Sequence, residues 1–171
     1  TEIDGLPNFS SIQPDGIEEA IKELLASNRE EVTGIVDRVS DSPTWDSLVA
    51  PLEEIDDRLT KAWVPISHLN AVVNTETLRA AHDGCLAALT QYSTELRQSQ
   101  PLYDAYKNLR SSKTYDDELS AAQKKVVENA LIDFELSGVG LDERTKKRFA
   151  DVSERLAVLA SRFQNNVLDA S

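Results

Sequence analysis

The stretch "LVAPLEEIDDRLTKAWVPISHLNAVV", Leu48–Val73, decides the fold. Within it Leu48, Leu52, Ile55, Leu59, Ala62, Ile66, Leu69 and Val73 recur at alternating steps of four and three. That spacing returns every apolar side chain to one face of an α-helix, whereas a half-buried strand alternates at every second residue. Pro51 falls in the early turns, where a missing amide donor costs little. Pro65 lies deep in the pattern. It withholds the N–H that would reach the Lys61 carbonyl and crowds that carbonyl, so a kink or break is expected. Upstream, "SDSPTWDS" (40–47) interrupts the pattern, with Thr44 the expected N-cap.

The same period continues on both sides. After an extended arm over residues 1–13, containing "LPNFSSIQ", Pro14 is expected to begin a first helix. Asp15, Glu18 and Glu19 suit the positive end of its dipole. Ile17, Ile21, Leu24, Leu25, Val32, Ile35 and Val39 form its stripe, with Gly34 a weak point. Downstream, a third helix over 75–99 carries Leu78, His82, Cys85, Leu89, Tyr92 and Leu96 on one face. Pro101 starts a short fourth helix with Leu102, Tyr106 and Leu109 inward, and "SSKTYDDE" (111–118) reads as a polar connection. Ser120 and Gln123 have the spacing of a capping box for a fifth helix, whose core face is Val127, Ala130, Leu131 and Phe134. Gly138 is the expected C-cap and Gly140 a further turn. Asp142 caps a sixth helix expected to bury Phe149, Val152, Leu156, Leu159, Phe163 and Val167.

No segment reads as a strand. The prediction is an all-α antiparallel bundle of about six helices, the second kinked at Pro65, with residues 14–171 forming one domain. The fifth and sixth helices, joined by "SGVGL" (137–141), are expected to form an αα-hairpin.

At 171 residues the chain is long enough for one substantial core. A net charge of −12 argues against nucleic acid or an anionic membrane as partner, because the basic clusters Lys124-Lys125 and "RTKKR" (144–148) lie among acids. There is no apolar run long enough for a membrane span. The start, "TEIDGLPNFSS", has neither the basic nor the apolar region of a signal peptide, and lacks an initiator Met, so a trimmed start is expected. A single cysteine, Cys85, allows no internal disulfide and fits a reducing cytoplasm.

The only grouping that hints at metal chemistry is His68, His82 and Cys85. The metalloprotease signature H-E-x-x-H is absent, since Leu69 follows His68 and Asp83 follows His82. No Gly-x-Ser-x-Gly elbow or glycine-rich phosphate loop occurs either. For His82 and Cys85 two readings stand: a small zinc set, or two residues of the core seam, where Cys behaves as a small hydrophobe. The core reading is preferred. His68 falls nearly opposite the seam of its helix, in line with Val64 and Val72, with Trp63 at the margin. A helix buried on two sides, with His68 bonded to a neighbouring helix, is preferred to a substrate-binding histidine. The pairs Glu53-Glu54 and Asp56-Asp57 point apart and read as a solvated face.

Five strings carry more specific information: "LPNFSSIQPDGIEEAI" (6–21), "TWDSLVAPLEEIDDRLTKAWVPISHLNAVVN" (44–74), "YKNLR" (106–110), "KKVVENALIDFELSGVGL" (124–141) and "RLAVLASRFQNNVLDAS" (155–171). Together, and in this order, they resemble the N-terminal region of the thimet-oligopeptidase/neurolysin family of zinc metallopeptidases. The resemblance implies that this chain is part of a larger cytoplasmic enzyme that hydrolyses short free peptides, including cleaved signal peptides. It implies a helical region forming one wall of a deep channel, with the zinc and its H-E-x-x-H ligands in a later catalytic region. No catalytic or metal residue can be carried onto this chain, no substrate-binding residue can be assigned, and the piece alone is expected to be inactive. Its implied partners are the catalytic region of the same polypeptide and short peptides, and a surface meeting that region would be left as an apolar patch. The alternative is a free-standing helical module that binds a peptide or a partner helix.

Overall fold

Gly16 sets where the first helix begins. Its φ of +88° is a left-handed backbone conformation, so the right-handed helix starts beyond it. In a computed structural model describing residues 7–39 and 42–170, α1 accordingly spans Ile17–Val39, starting later than Pro14 would place it. Six further helices follow: α2 Ala50–Val72, α3 Glu76–Arg97, α4 Gln100–Arg110, α5 Lys113–Asp117, α6 Ala121–Leu136 and α7 Glu143–Asp169. A 3-10 turn, Phe9–Ser11, interrupts the arm predicted as extended; residues 1–6 of that arm lie outside the described residues. No strand occurs among the described residues, and the all-α prediction holds.

Local chemistry accounts for most boundaries. Thr44 and Ser47 form a reciprocal capping box at 3.1 and 2.9 Å, opening a π-helical turn, Trp45–Val49, that runs into α2. Ser120 and Gln123 do the same for α6, at 3.3 and 2.9 Å, and Asp142 caps α7 by accepting from the Thr145 amide at 3.1 Å. Gly138 terminates α6 at φ +80°, and a side chain there would also collide with Leu141. α2 runs unbroken through Pro65, which is itself buried, so a break is excluded and one amide donor is simply missing. The segment 111–118 is not just a polar connection: Ser112 caps the short α5, which drops Tyr115 into the interior.

The buried side chains fall into two clusters. The first gathers Val32, Ile35 and Val39 of α1 with Leu48, Ile55, Leu102, Tyr106, Leu109, Tyr115, Val127 and Phe134. The second gathers Ile17, Ile21 and Leu25 of α1 with Ile66, Leu78, Cys85 and Tyr92. Leu96 packs against both. Between them on α1 sits Asn28, fully buried and accepting from Arg58 of α2 at 2.8 Å, while Arg58 also reaches Glu31 at 2.7 Å. Thus α1, α2 and α3 pack together and α6 packs on α4.

Two expectations fail at the C-terminal end. α6 and α7 do not form an αα-hairpin; the main neighbour of α7 is α3. Three polar contacts fix an antiparallel register: Lys146 to the Gln98 carbonyl at 3.5 Å, Ser161 to Asp83 at 2.7 Å, and Asp169 to Arg79 through two bonds of 2.9 and 2.7 Å. The residues of α7 turned inward are small or polar, with Ser161 and Asn165 buried and Ala150, Ser153 and Ala157 half-buried. The predicted core stripe, Phe149, Val152, Leu156, Leu159, Phe163 and Val167, is exposed instead. Val73, predicted as the last core position of the second helix, is exposed too, because it lies past the end of α2 as its C-cap.

Candidate functional site

The most polar buried region lies where α2, α3 and α7 meet. Trp63 of α2 stacks on His82 of α3, with ring centroids 4.8 Å apart and planes 21° apart. His82 Nδ1 lies 3.2 Å from Asp83 Oδ1, and since a carboxylate only accepts, Nδ1 is the donor in that contact. The same oxygen accepts from Ser161 of α7. One carboxylate thereby joins an aromatic stack on two helices to the third. Beside it opens a groove of about 540 Å³ lined by Ser67, Asn70, His82, Phe163, Asn165 and Val167. Asn70 Oδ1 and Asn165 Oδ1 are buried there without a hydrogen-bond partner. A second groove, of about 400 Å³, runs between α3 and the start of α7 beside Trp63, Leu89 and Phe149.

The predicted site residues separate. His82 and Cys85 are buried in the seam of α3, as the core reading requires. The Cys85 thiol donates to the Ala81 carbonyl at 3.3 Å, and burial, reinforced by the Glu18 carboxylate, pushes its pKa up. A thiol held in that form is a poor metal ligand and a poor nucleophile. His68 is not bonded to a neighbouring helix inside a second core layer. It is exposed, its ring lies 5.5 Å from that of Phe9, and Val64 and Val72 on the same line are exposed as well. Among the described residues no three His, Cys, Asp or Glu side chains converge in a way that could hold a metal ion. His68, His82 and Cys85 therefore do not fit zinc, and no catalytic step is built on them.

Sequence reading missed Asn70, Asn165 and the Ser161–Asp83 bond. A signal existed: Ala150, Ser153, Ala157 and Ser161 recur at helical spacing, a small-residue stripe beside the larger apolar one. The apolar stripe drew attention because large side chains usually mark the core.

The chain belongs to one family, since the N-terminal domain of neurolysin/thimet oligopeptidase matches residues 21–146. Among individual proteins, oligopeptidase A of Haemophilus influenzae is 45% identical over 171 residues, 99% of this chain and 24% of that protein. Oligopeptidase A of Escherichia coli is 43% identical over 167 residues, 97% of this chain and 24% of its own length. A probable cytosolic oligopeptidase A of Arabidopsis thaliana is 34% identical over 165 residues, covering 96% and 23%. The chain thus spans about a quarter of the length of the curated relatives it matches. No helix among the described residues is long and apolar enough to cross a membrane.

Proposed function

We propose that residues 14–171 form the N-terminal helical unit of a larger, cytoplasmic, zinc-dependent oligopeptidase that hydrolyses short free peptides, cleaved signal peptides among them. The observation that carries this reading is the identity of 43–45% to bacterial oligopeptidases A, sustained over 97–99% of the chain while covering only 24% of those proteins. In this reading the unit is a wall of the peptide channel. It excludes folded substrates by bulk and moves against the rest of the enzyme when a peptide is enclosed. In this reading zinc and its H-E-x-x-H ligands would lie in the region beyond this chain, and the metal would supply Lewis-acid chemistry there. The present residues supply enclosure and positioning, none of the catalytic or metal-binding groups.

The experiment compares the parent protein with residues 1–171 alone. The parent cleaves short peptides, spares folded proteins and loses activity to a chelator, while residues 1–171 neither cleave peptide nor retain stoichiometric zinc. A parent that keeps its full rate in chelator, or a coding sequence with no H-E-x-x-H after Ser171, overturns the proposal.

A further inference from the structure

The interior is not filled where its two apolar clusters meet. A cavity of about 150 Å³ lies there, bounded by Val32 of α1, Ile55 of α2, Tyr92 and Leu96 of α3, Tyr106 of α4 and Phe134 of α6. Protein interiors ordinarily close on any void larger than a water molecule, because the atoms around it forfeit their contacts. An apolar cavity of roughly this volume accepts a single benzene ring. The walls suit a ring, since three of them are aromatic. Tyr106 already meets Phe134 in a tilted arrangement, with ring centroids 5.6 Å apart and planes 57° apart, so an edge or a face is available to a third ring.

The cavity opens to solvent at a charged rim. Asp56 of α2 and Arg97, the last residue of α3, line it and are both exposed, whereas its aromatic walls are buried. The two are not paired with each other, and neither forms an ion pair with another side chain among the described residues. Other arginines of the bundle do find acids: Arg29 pairs with Glu95, Arg58 with Glu31 and Arg79 with Asp169. An unpaired surface charge is ordinary by itself. An acid and a base on the rim of one aromatic cavity have the composition of a ligand pocket, mostly apolar with a few placed polar groups.

We propose that this cavity binds a free aromatic amino acid, its ring among Tyr92, Tyr106 and Phe134, its ammonium group at Asp56 and its carboxylate at Arg97. One observation selects each part of the ligand. The volume and the aromatic walls select the ring. The opposite charges at the rim select a zwitterion, since a fatty acid or an aromatic hydrocarbon leaves at least one of them unused. A residue inside a peptide lacks both free groups, so the site reads a single amino acid and not a chain segment. The proposal uses side chains of this chain alone and is independent of the oligopeptidase reading. Once bound, the ligand fills the gap between the two clusters and stabilises the folded domain by mass action.

The test titrates L-phenylalanine into isotopically labelled residues 1–171, shown folded by far-UV circular dichroism. Saturable one-to-one binding is expected, with the largest NMR shifts at Tyr92, Leu96, Tyr106 and Phe134. Arg97→Ala and Asp56→Ala, both surface changes, each weaken binding about two- to fivefold, the range of an exposed ion pair. Hydrocinnamate, which lacks the ammonium group, loses nothing to Asp56→Ala, and phenethylamine, which lacks the carboxylate, loses nothing to Arg97→Ala. L-Leucine binds about two- to tenfold more weakly than L-phenylalanine, for want of aromatic contacts. Leu52→Phe, which carries a ring in from a half-buried wall of the cavity, abolishes binding. Equilibrium dialysis of the parent protein against its Leu52→Phe variant gives the same loss of one site. No saturable binding up to the solubility limit overturns the proposal, as does affinity indifferent to both rim substitutions, or binding that survives Leu52→Phe. A parent protein that holds no more L-phenylalanine than its Leu52→Phe variant overturns it as well.

Discussion

Leu109→Ala and Leu156→Ala, made separately in residues 1–171, give the sharpest test of the α7 arrangement. Both leucines occupy stripe positions of amphipathic helices, so periodicity alone predicts similar costs. Burial separates them: Leu109 is 0% exposed within the first core cluster, whereas Leu156 is 66% exposed. Fully burying a leucine is worth about 1.5–3 kcal/mol, and the unfilled cavity raises the cost of Leu109→Ala to about 2–5 kcal/mol. Leu156 realises roughly a third of that transfer, about 0.5–1 kcal/mol, and alanine's better helix propensity offsets part of it. The net change at Leu156 therefore stays within about 0.5 kcal/mol. At about 2–4 °C per kcal/mol for a chain of this size, Leu109→Ala lowers Tm by about 4–20 °C while Leu156→Ala barely moves it. Urea titration followed by fluorescence of Trp45 and Trp63 supplies the free energies, and thermal melts supply Tm. A Leu156→Ala cost equal to that of Leu109→Ala, at protein concentrations where the chain is monomeric, would show the α7 stripe packed inside this domain and refute the reasoning.

Other outcomes follow from particular contacts. Ser161→Leu removes the bond to Asp83 and forces bulk between α3 and α7, with an expected loss of about 1–3 kcal/mol in the same titration and faster hydrogen exchange confined to α7. Ser120→Ala removes the cap of α6 and lowers stability by about 0.5–2 kcal/mol, while Ser120→Asp largely preserves it. Asp142 is held below the ordinary carboxylate value mainly by hydrogen bonds from Thr145. A lowered folded pKa gives a contribution present above about pH 3.9 and lost as pH falls through the folded value, so amide exchange at the start of α7 accelerates there in acid. Asp142→Asn, which can still cap, removes that acceleration. All four tyrosines are shifted upward: burial is the chief cause for Tyr92, Tyr106 and Tyr115, and the hydrogen bond to Glu135 for Tyr103. Their stabilisation is complete below about pH 10 and is lost as pH climbs through the folded values, so phenolate absorbance lags that of free tyrosine until unfolding releases it. A tyrosine titrating at the ordinary value in the folded chain contradicts the packing.

Helix identity was legible wherever short-range chemistry decides it. The Thr44 cap, the Ser120 box, the Asp142 cap and the Gly138 terminator are set by residues three or four apart, and each occurs where the pattern places it. The burial of His82 and Cys85 was legible for the same reason, since both lie in an unbroken seam. The failures share a cause: they concern which helix meets which. A heptad-like stripe in α7 announces an apolar face without naming the partner, and the small-residue stripe that fits α3 carries a weaker hydrophobic signal. His68 failed likewise, because Val64 and Val72 describe a second apolar line of α2 that the fold leaves exposed. Tyr115 escaped notice because α5 is a single short turn in polar surroundings.

The divided core described above has a mechanical consequence. The two apolar clusters touch at little more than Leu96, with Asn28 and Arg58 between them, yet α1 and α2 pass through both without interruption. Melting either cluster frays one end of the rods that frame the other. Cooperativity in this domain thus comes from helix continuity more than from a shared interior, and a load applied at the α7 end is carried to α4 and α6 along the long axes of α1 and α2. A glycine placed mid-rod, at Ser27 or Thr60, would weaken the coupling by up to about 1 kcal/mol while leaving both interiors chemically intact.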